Sequence, residues 1–162
     1  MTTTFDTRAG TRGASTRFPR AFRWLDRQMS RPAARQLFTM VGMGQTLVLT
    51  TVGRRSGVER SVRLCCFPSE GGGWLVVAAA GGTASNPAWY HNVAAHPDDL
   101  WIEVDGRRVA VTAEQLHGQQ REAAWRQVTA TSRQFAGFQR KTDRELPVIR
   151  LLPRPAPGTT QD

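Results

Sequence analysis

The stretch QTLVLTTVGRRSGVERSVRLCCF, residues 45–67, reads as a strand, a tight turn and a returning strand. Gln45–Val52 is rich in β-branched and apolar residues, and residues 60–67 end in an apolar run. Residues 53–57 between them carry the two glycines of a sharp reversal. Toward the C-terminus, residues 69–73 form a second turn, and residues 74–80 an apolar strand ended by Gly81 and Gly82. Asn86 and Pro87 signal a helix start, with Asn86 as cap and Pro87 at the first position of a helix running to Ala95. Leu100–Val104 and residues 107–114 make a hairpin about Asp105 and Gly106, since glycine accepts the positive φ of a tight turn. Residues 119–131 have helical spacing, and residues 147–152 read as a last strand. Six short strands linked by hairpins, with helices between, predict an α+β domain over residues 44–152. Antiparallel strands that close on themselves hide their edges, so a small barrel is the expected architecture.

Toward the N-terminus the period changes. Phe18, Phe22, Leu25 and Met29 recur at helical spacing among arginines, and Ser30 and Pro32 open a second short helix. Residues 17–43 are therefore expected to form a basic amphipathic helical segment. Residues 1–16, rich in Thr, Arg and Gly, and the proline-bearing tail 153–162 are expected to be disordered. Within residues 1–36, eight arginines face only Asp6 and Asp26, so this arm carries +6 of the net charge of +9. Such an arm suits packing on the domain, an anionic membrane surface or nucleic acid. Residues 17–41 are the candidate peripheral membrane contact. Nothing like a helix-turn-helix, a zinc finger or an aromatic RNA-binding strand follows, which argues against nucleic acid.

The 162 residues match one domain, and 40% hydrophobic with 22% charged residues supports a packed core. No run approaches the roughly 20 apolar residues that cross a bilayer. The arginine-strewn N-terminus lacks the apolar region of a secretory signal. Composition thus excludes membrane-spanning, exported and collagen-like classes, and a cytoplasmic location is expected, peripheral to the inner face of the membrane if the arm docks there. Cys65 and Cys66 are adjacent, so on a strand they face opposite sides and a bond between them would strain the backbone. Reduced thiols suit the cytoplasm. His91, His96 and His117 match no zinc spacing, and no metal is expected.

Three segments carry chemistry. Between Thr50 and Arg60, glycines let backbone amides converge on an anion while Arg55 and Arg60 offer paired donors to phosphate or carboxylate. The same residues also suit a plain hairpin with hydrated arginines. Between Gly81 and Asn92, a glycine pair precedes a helix N-terminus where backbone donors collect. Trp89 there offers a broad face to a flat ring, or packs in a core with Tyr90. Farther on, Phe135 and Phe138 share a helix face and can cover a pocket. The charged run 140–145 reads as a solvated helix end, and Asp143 and Glu145, set among bases, make no convincing acid–base pair.

In this order, the motifs TT-x-GR-basic-SG, GG-x4-P-x-WY-x-N and TDRE-x-PV resemble the deazaflavin-dependent nitroreductase family. These are split β-barrel, FMN-binding-like oxidoreductases of actinobacteria that use coenzyme F(420), an 8-hydroxy-5-deazaflavin. The resemblance runs from Thr50 to Leu152. It implies a reductase that passes a hydride from reduced coenzyme F(420), ahead of FMN, to a small flat acceptor such as a quinone, enone or nitroaromatic. It places the cofactor's phosphate and acidic tail on Arg54, Arg55, Ser56 and Arg60. The ring would lie along Ser61, Val62, Arg63, Leu64, Cys65 and Cys66. Val77, Ala78, Ala79 and Ala80, then Ala88, Trp89, Tyr90, His91 and Asn92, with Phe135, would cover the remaining cofactor surface. Phe135, Phe138 and Tyr90 would line the substrate pocket.

Three departures accompany the resemblance. Phe135 and Phe138 stand where relatives often carry tyrosines, Ala79 and Ala80 replace a common Ser-Lys, and Arg63 replaces a common proline. A donor near the acceptor's developing charge, whether Ser61, Arg63, Tyr90 or water, would stabilise it, and no side chain is named as the proton source. Two other readings keep the same residues: a non-catalytic deazaflavin- or flavin-binding module, and a membrane- or nucleic-acid-associating protein acting through its arm. Monomer and homodimer are both open.

Overall fold

The structure, a computed structural model, describes residues 4–15 and 45–155. Its strands are β1 (Gln45–Val52), β2 (Glu59–Pro68), β3 (Trp74–Val77), β4 (Leu100–Val104), β5 (Arg107–Gln115) and β6 (Val148–Pro153). Its helices are α1 (Ala88–Ala95), α2 (Gly118–Thr131) and α3 (Gln134–Lys141), with one 3-10 turn at Ala80–Gly82. The strands pair in the order β1-β2-β3-β6-β5-β4, and β4 returns to β1, every neighbour antiparallel. The expected α+β barrel is what forms. The helical segment expected over residues 17–43 lies outside the described residues.

Alternation along the strands sorts side chains into two cores. Leu47 and Leu49 of β1, Cys66 of β2, Val76 of β3, Ile102 of β4 and Leu151 of β6 fill the barrel, and Trp89, Tyr90 and Val93 of α1 plug one end. The opposite faces of β2, β3 and β6 send Phe67, Leu75, Val77 and Val148 outward, where Ala124 and Val128 of α2 and Phe135 of α3 cover them. This explains why β3 reads as an unbroken apolar run: both of its faces are buried. The Asp105–Gly106 turn joins β4 to β5 with φ values of 51° and 74°.

Several local expectations change. β3 stops at Val77, because the chain passes into left-handed backbone at Ala80 (φ 46°) and Gly81 (φ 64°). Asn86 does not cap α1. Extended Pro87 occupies the cap position without a side-chain bond, and the Asn86 amide is engaged elsewhere. Pro153 pairs with Val111, and the Arg154 amide donates to the Ala110 carbonyl at 2.8 Å, so the expected tail is held at its start.

The larger correction is at the N-terminus. Residues 4–15, expected to be disordered, run as a strap over α1 and the loop after α3. The strap is held mainly through its backbone. The Gly10 amide donates to Ala84, and the Ala14 amide to Gly82, at 2.8 and 2.9 Å. The Asn86 side chain donates to the Arg8 carbonyl (3.2 Å), and the Tyr90 hydroxyl to the Asp6 carbonyl (2.8 Å). Phe5 meets the Tyr90 ring edge-on at 6.1 Å. Gly13 lies so close to the Ala84 backbone that a Cβ there would sit 2.1 Å from its nitrogen. Composition hides such a segment because backbone bonds do not depend on side-chain type.

Candidate functional site

A cleft of about 550 Å³ opens between the β1–β2 hairpin and α1. Sequence reasoning placed nine of its residues at the cofactor: Arg54, Arg55, Ser56, Arg60, Ser61, Val62, Ala88, Trp89 and Asn92. The hairpin is tight. The Gly53 amide donates to the Val58 carbonyl and the Gly57 amide to the Gly53 carbonyl, both at 2.8 Å, while Ser56 Oγ accepts from the Val58 amide. Asn92 fastens this hairpin to α1. Its Oδ1 accepts from the Arg54 amide at 3.1 Å, and its Nδ2 donates to Thr51 Oγ1 at 3.2 Å. Thr51 lines the cleft but was not expected there, and Gly53 lines it with its amide spent inside the hairpin rather than turned to an anion. Thr51 was detectable: it shares the inward face of β1 with Leu47 and Leu49, and a polar residue at that register calls for a partner.

The electrostatics favour an anion. Arg54, Arg55 and Arg60 are exposed along the cleft, and among the described residues no Asp or Glu lines it. Trp89 and Val62 supply apolar wall beside them. The site therefore suits a ligand with a polyanionic part and a flat apolar part. His91 is half-buried just outside the lining. Burial first, then the Arg54 guanidinium, holds its imidazole below the usual value and so favours the neutral ring.

Other expected residues lie elsewhere. Arg63 points off the outer face of β2, donates to Thr46 Oγ1 (3.3 Å) and lines a separate hollow with Glu103, Asp105, Arg107 and Arg108. Leu64 and Cys66 face the barrel interior, Cys65 the outer core. Burial pushes the Cys65 thiol up to about 11 and the Cys66 thiol to about 12, so neither is a thiolate near neutral pH. Ala78 is inside the barrel, Val77 and Ala79 belong to the outer core, and Ala80 is half-buried in the 3-10 turn.

Tyr90 is not at the cleft. It is fully buried, its hydroxyl hydrogen-bonded to Asp6 and Gln115, and burial raises its pKa. Phe135 is buried edge-on against Phe67 and Phe138, and Lys141 lies over the half-buried Phe138 ring at 5.9 Å. Among the described residues, no cluster of His, Cys, Asp or Glu is arranged to hold a metal, and no helix is long and apolar enough to cross a membrane.

A closed antiparallel barrel of this strand order, with a cationic cleft at one end, belongs to the split-barrel oxidoreductase class. The F(420)H(2)-dependent quinone reductase family model matches residues 20–153, and the chain belongs to that family. An F(420)H(2)-dependent quinone reductase of Mycobacterium tuberculosis is 33% identical over 116 residues, covering 70% of this chain and 76% of that protein. A solved F(420)H(2)-dependent reductase is 33% identical with a TM-score of 0.60, over 66% of this chain and 93% of its own. Another solved chain, described as a domain-swapped dimer, is 31% identical with a TM-score of 0.60, over 81% of this chain and 98% of its own. Family membership makes the chain an oxidoreductase with coenzyme F(420) as its cofactor. The arginine-lined cleft, with no carboxylate among its described residues, fits that cofactor's acidic tail.

Proposed function

We propose that this chain holds coenzyme F(420) in the cleft between the β1–β2 hairpin and α1 and reduces a flat acceptor, a quinone foremost. The carrying observation is the cleft's lining among the described residues: three guanidiniums, no carboxylate and the largely buried Trp89 at its wall. Arg54, Arg55 and Arg60 take the anionic tail, with Arg55 and Arg60 offering paired donors. Asn92 fixes the hairpin so that these donors stand ready before binding. Val62 and Trp89 provide the apolar surface against which a ring rests. When bound, the reduced coenzyme supplies a hydride to the quinone, which also takes up a proton and becomes a hydroquinone. Among the described residues the lining holds no Asp, Glu, His, Cys or Tyr, and water at the cleft is the proposed source of that proton.

Absorbance and fluorescence titrations with the deazaflavin and with FMN test this reading. The deazaflavin should bind about tenfold tighter or better, roughly 1.4 kcal/mol. Equal affinity for FMN overturns the preference. A second step adds a quinone to the reduced complex. Oxidation is expected, and its absence would leave a binding module without turnover.

Two finer readings accompany the first. The domain-swapped neighbour supports assembly of this chain as a homodimer, to be checked by light scattering on the eluted protein. The charge of residues 1–36 supports a cytoplasmic protein whose segment 17–41 touches an anionic membrane. Sedimentation with anionic but not neutral vesicles is expected, and no retention on either removes that contact.

A further inference from the structure

The segment Thr142-Asp143-Arg144 lines no part of the cleft, yet two of its side chains hold the strap and the third the loop between β3 and α1. Thr142 Oγ1 donates to the Arg12 carbonyl of the strap at 2.7 Å. The Asp143 carboxylate accepts from the Thr11 and Arg12 amides, both at 2.9 Å, and from the Thr11 hydroxyl. Arg144 turns inward and is 5% exposed.

The Arg144 guanidinium has five N–H donors, and the structure gives each a partner on the loop between β3 and α1. Nε donates to Thr83 O (3.2 Å), Nη1 to Ala78 O (2.9 Å) and Asn86 Oδ1 (2.7 Å), and Nη2 to Ala79 O (3.0 Å) and Thr83 O (3.1 Å). Among the described residues no carboxylate pairs with it. Carbonyl dipoles alone offset a buried cation, an arrangement that survives only when the hydrogen bonding is complete.

The loop needs such a clamp. Residues 80–82 are all left-handed, Ala80 among them, where a side chain disfavours that backbone. Gly82 also passes so close to α3 that a Cβ would lie 2.4 Å from the Phe138 carbonyl. Two residues beyond the clamped Asn86, the chain delivers Ala88 and then Trp89 to the cleft, and Asn92 follows one turn later on α1, bonded to the hairpin.

We propose that Arg144 is a positioning residue for the coenzyme cleft: by holding Ala78, Ala79, Thr83 and Asn86, it sets where α1 presents Ala88, Trp89 and Asn92. The inference rests on the cleft being the coenzyme site, and the experiment separates the two. Oxidised deazaflavin is titrated by fluorescence into full-length wild type, Arg144→Lys, Asn86→Ala, Arg144→Ala and Arg60→Ala, each also melted without ligand.

Lys keeps the charge but not the planar fork, so Arg144→Lys should bind about tenfold more weakly, with Asn86→Ala shifted the same way by less. In turnover the loss should fall on the coenzyme's KM and leave the quinone's KM in place. Millimolar guanidinium should restore affinity to Arg144→Ala, and methylammonium should not. Folded Arg144→Lys and Asn86→Ala that bind like wild type, with only a lower melting temperature, would overturn the proposal even if Arg144→Ala does not fold. Should Arg60→Ala also bind like wild type, the cleft itself is misassigned. A weakened Arg60→Ala beside unaffected Arg144→Lys and Asn86→Ala rejects the positioning role alone.

Discussion

Asn92 uses both ends of its amide on the β1–β2 hairpin, so it sets where Arg54 stands relative to Trp89. Asn92→Leu keeps the volume but removes that partner from the Arg54 amide and the Thr51 hydroxyl, and a buried group left unpaired costs about 1–3 kcal/mol. The melting temperature is expected to fall accordingly, and deazaflavin affinity with it. An unchanged dissociation constant would detach α1 from the coenzyme. Arg55 and Arg60 lie in solvent, so screening lowers what their pairs are worth. Arg55→Ala and Arg60→Ala should each weaken binding about twofold to fivefold at low salt, up to about 1 kcal/mol, less as salt rises. Their melting curves should match wild type. If both bind normally, the anion site is elsewhere. Arg55 was legible because glycines bracket it in a turn, and Arg60 because it opens the returning strand. Arg144 was not, since a charged run at a helix end looks solvated until the loop it enters is known.

Among the elements, the strap of residues 4–15 has the most to lose. Its hold on Asp143 depends on a carboxylate that the Thr11 hydroxyl, then the Arg12 amide, keeps below the ordinary range. Asp6 is held down to about 2, chiefly by its hydrogen bond with the Arg8 side chain. A depressed carboxylate contributes above its unfolded pKa, about 4, and the contribution vanishes as pH falls through the folded value. The strap should thus be firm at pH 7 and loosen as pH falls below about 4, through the depressed value of Asp143. Hydrogen exchange at the Thr11 and Arg12 amides checks this, and protection unchanged to pH 2 would contradict it. Near neutrality, Asp143→Ala and Gly13→Ala should both speed tryptic cleavage after Arg8 and Arg12. The first removes the carboxylate, and the second drives a methyl into backbone that cannot yield. Cleavage at the wild-type rate in both would mean that these contacts do not hold the strap.

For the molecule as a whole, every strand has two neighbours in the barrel, although β2 meets β3 only at Phe67 and Pro68, and the interior carries the stability. Leu49→Ala should cost about 2–5 kcal/mol, because neighbours locked by the ladder cannot collapse into the gap. A denaturant midpoint shifted by less would mean that the barrel relaxes. Strand positions were legible because alternation and the Asp105–Gly106 turn are written locally. The glycines at 81 and 82 were read correctly as ending β3, but its last three residues were not, since Ala78, Ala79 and Ala80 after an apolar run look like more strand. The Asn86 side chain was misread for a related reason: its sequence neighbours favour a cap, while its partners, Arg8 and Arg144, lie 78 and 58 residues away.

Tyr90 is the chain's only tyrosine, fully buried, with the strap's Phe5 against its ring and Asp6 on its hydroxyl. A reagent that nitrates phenolates reaches it only after the strap lifts and the raised pKa relaxes. The growth of one absorbance band then counts opening events directly, with no label and no engineered residue. The protein carries a clock for its own N-terminal motion, and each variant or bound ligand can be read as running it fast or slow.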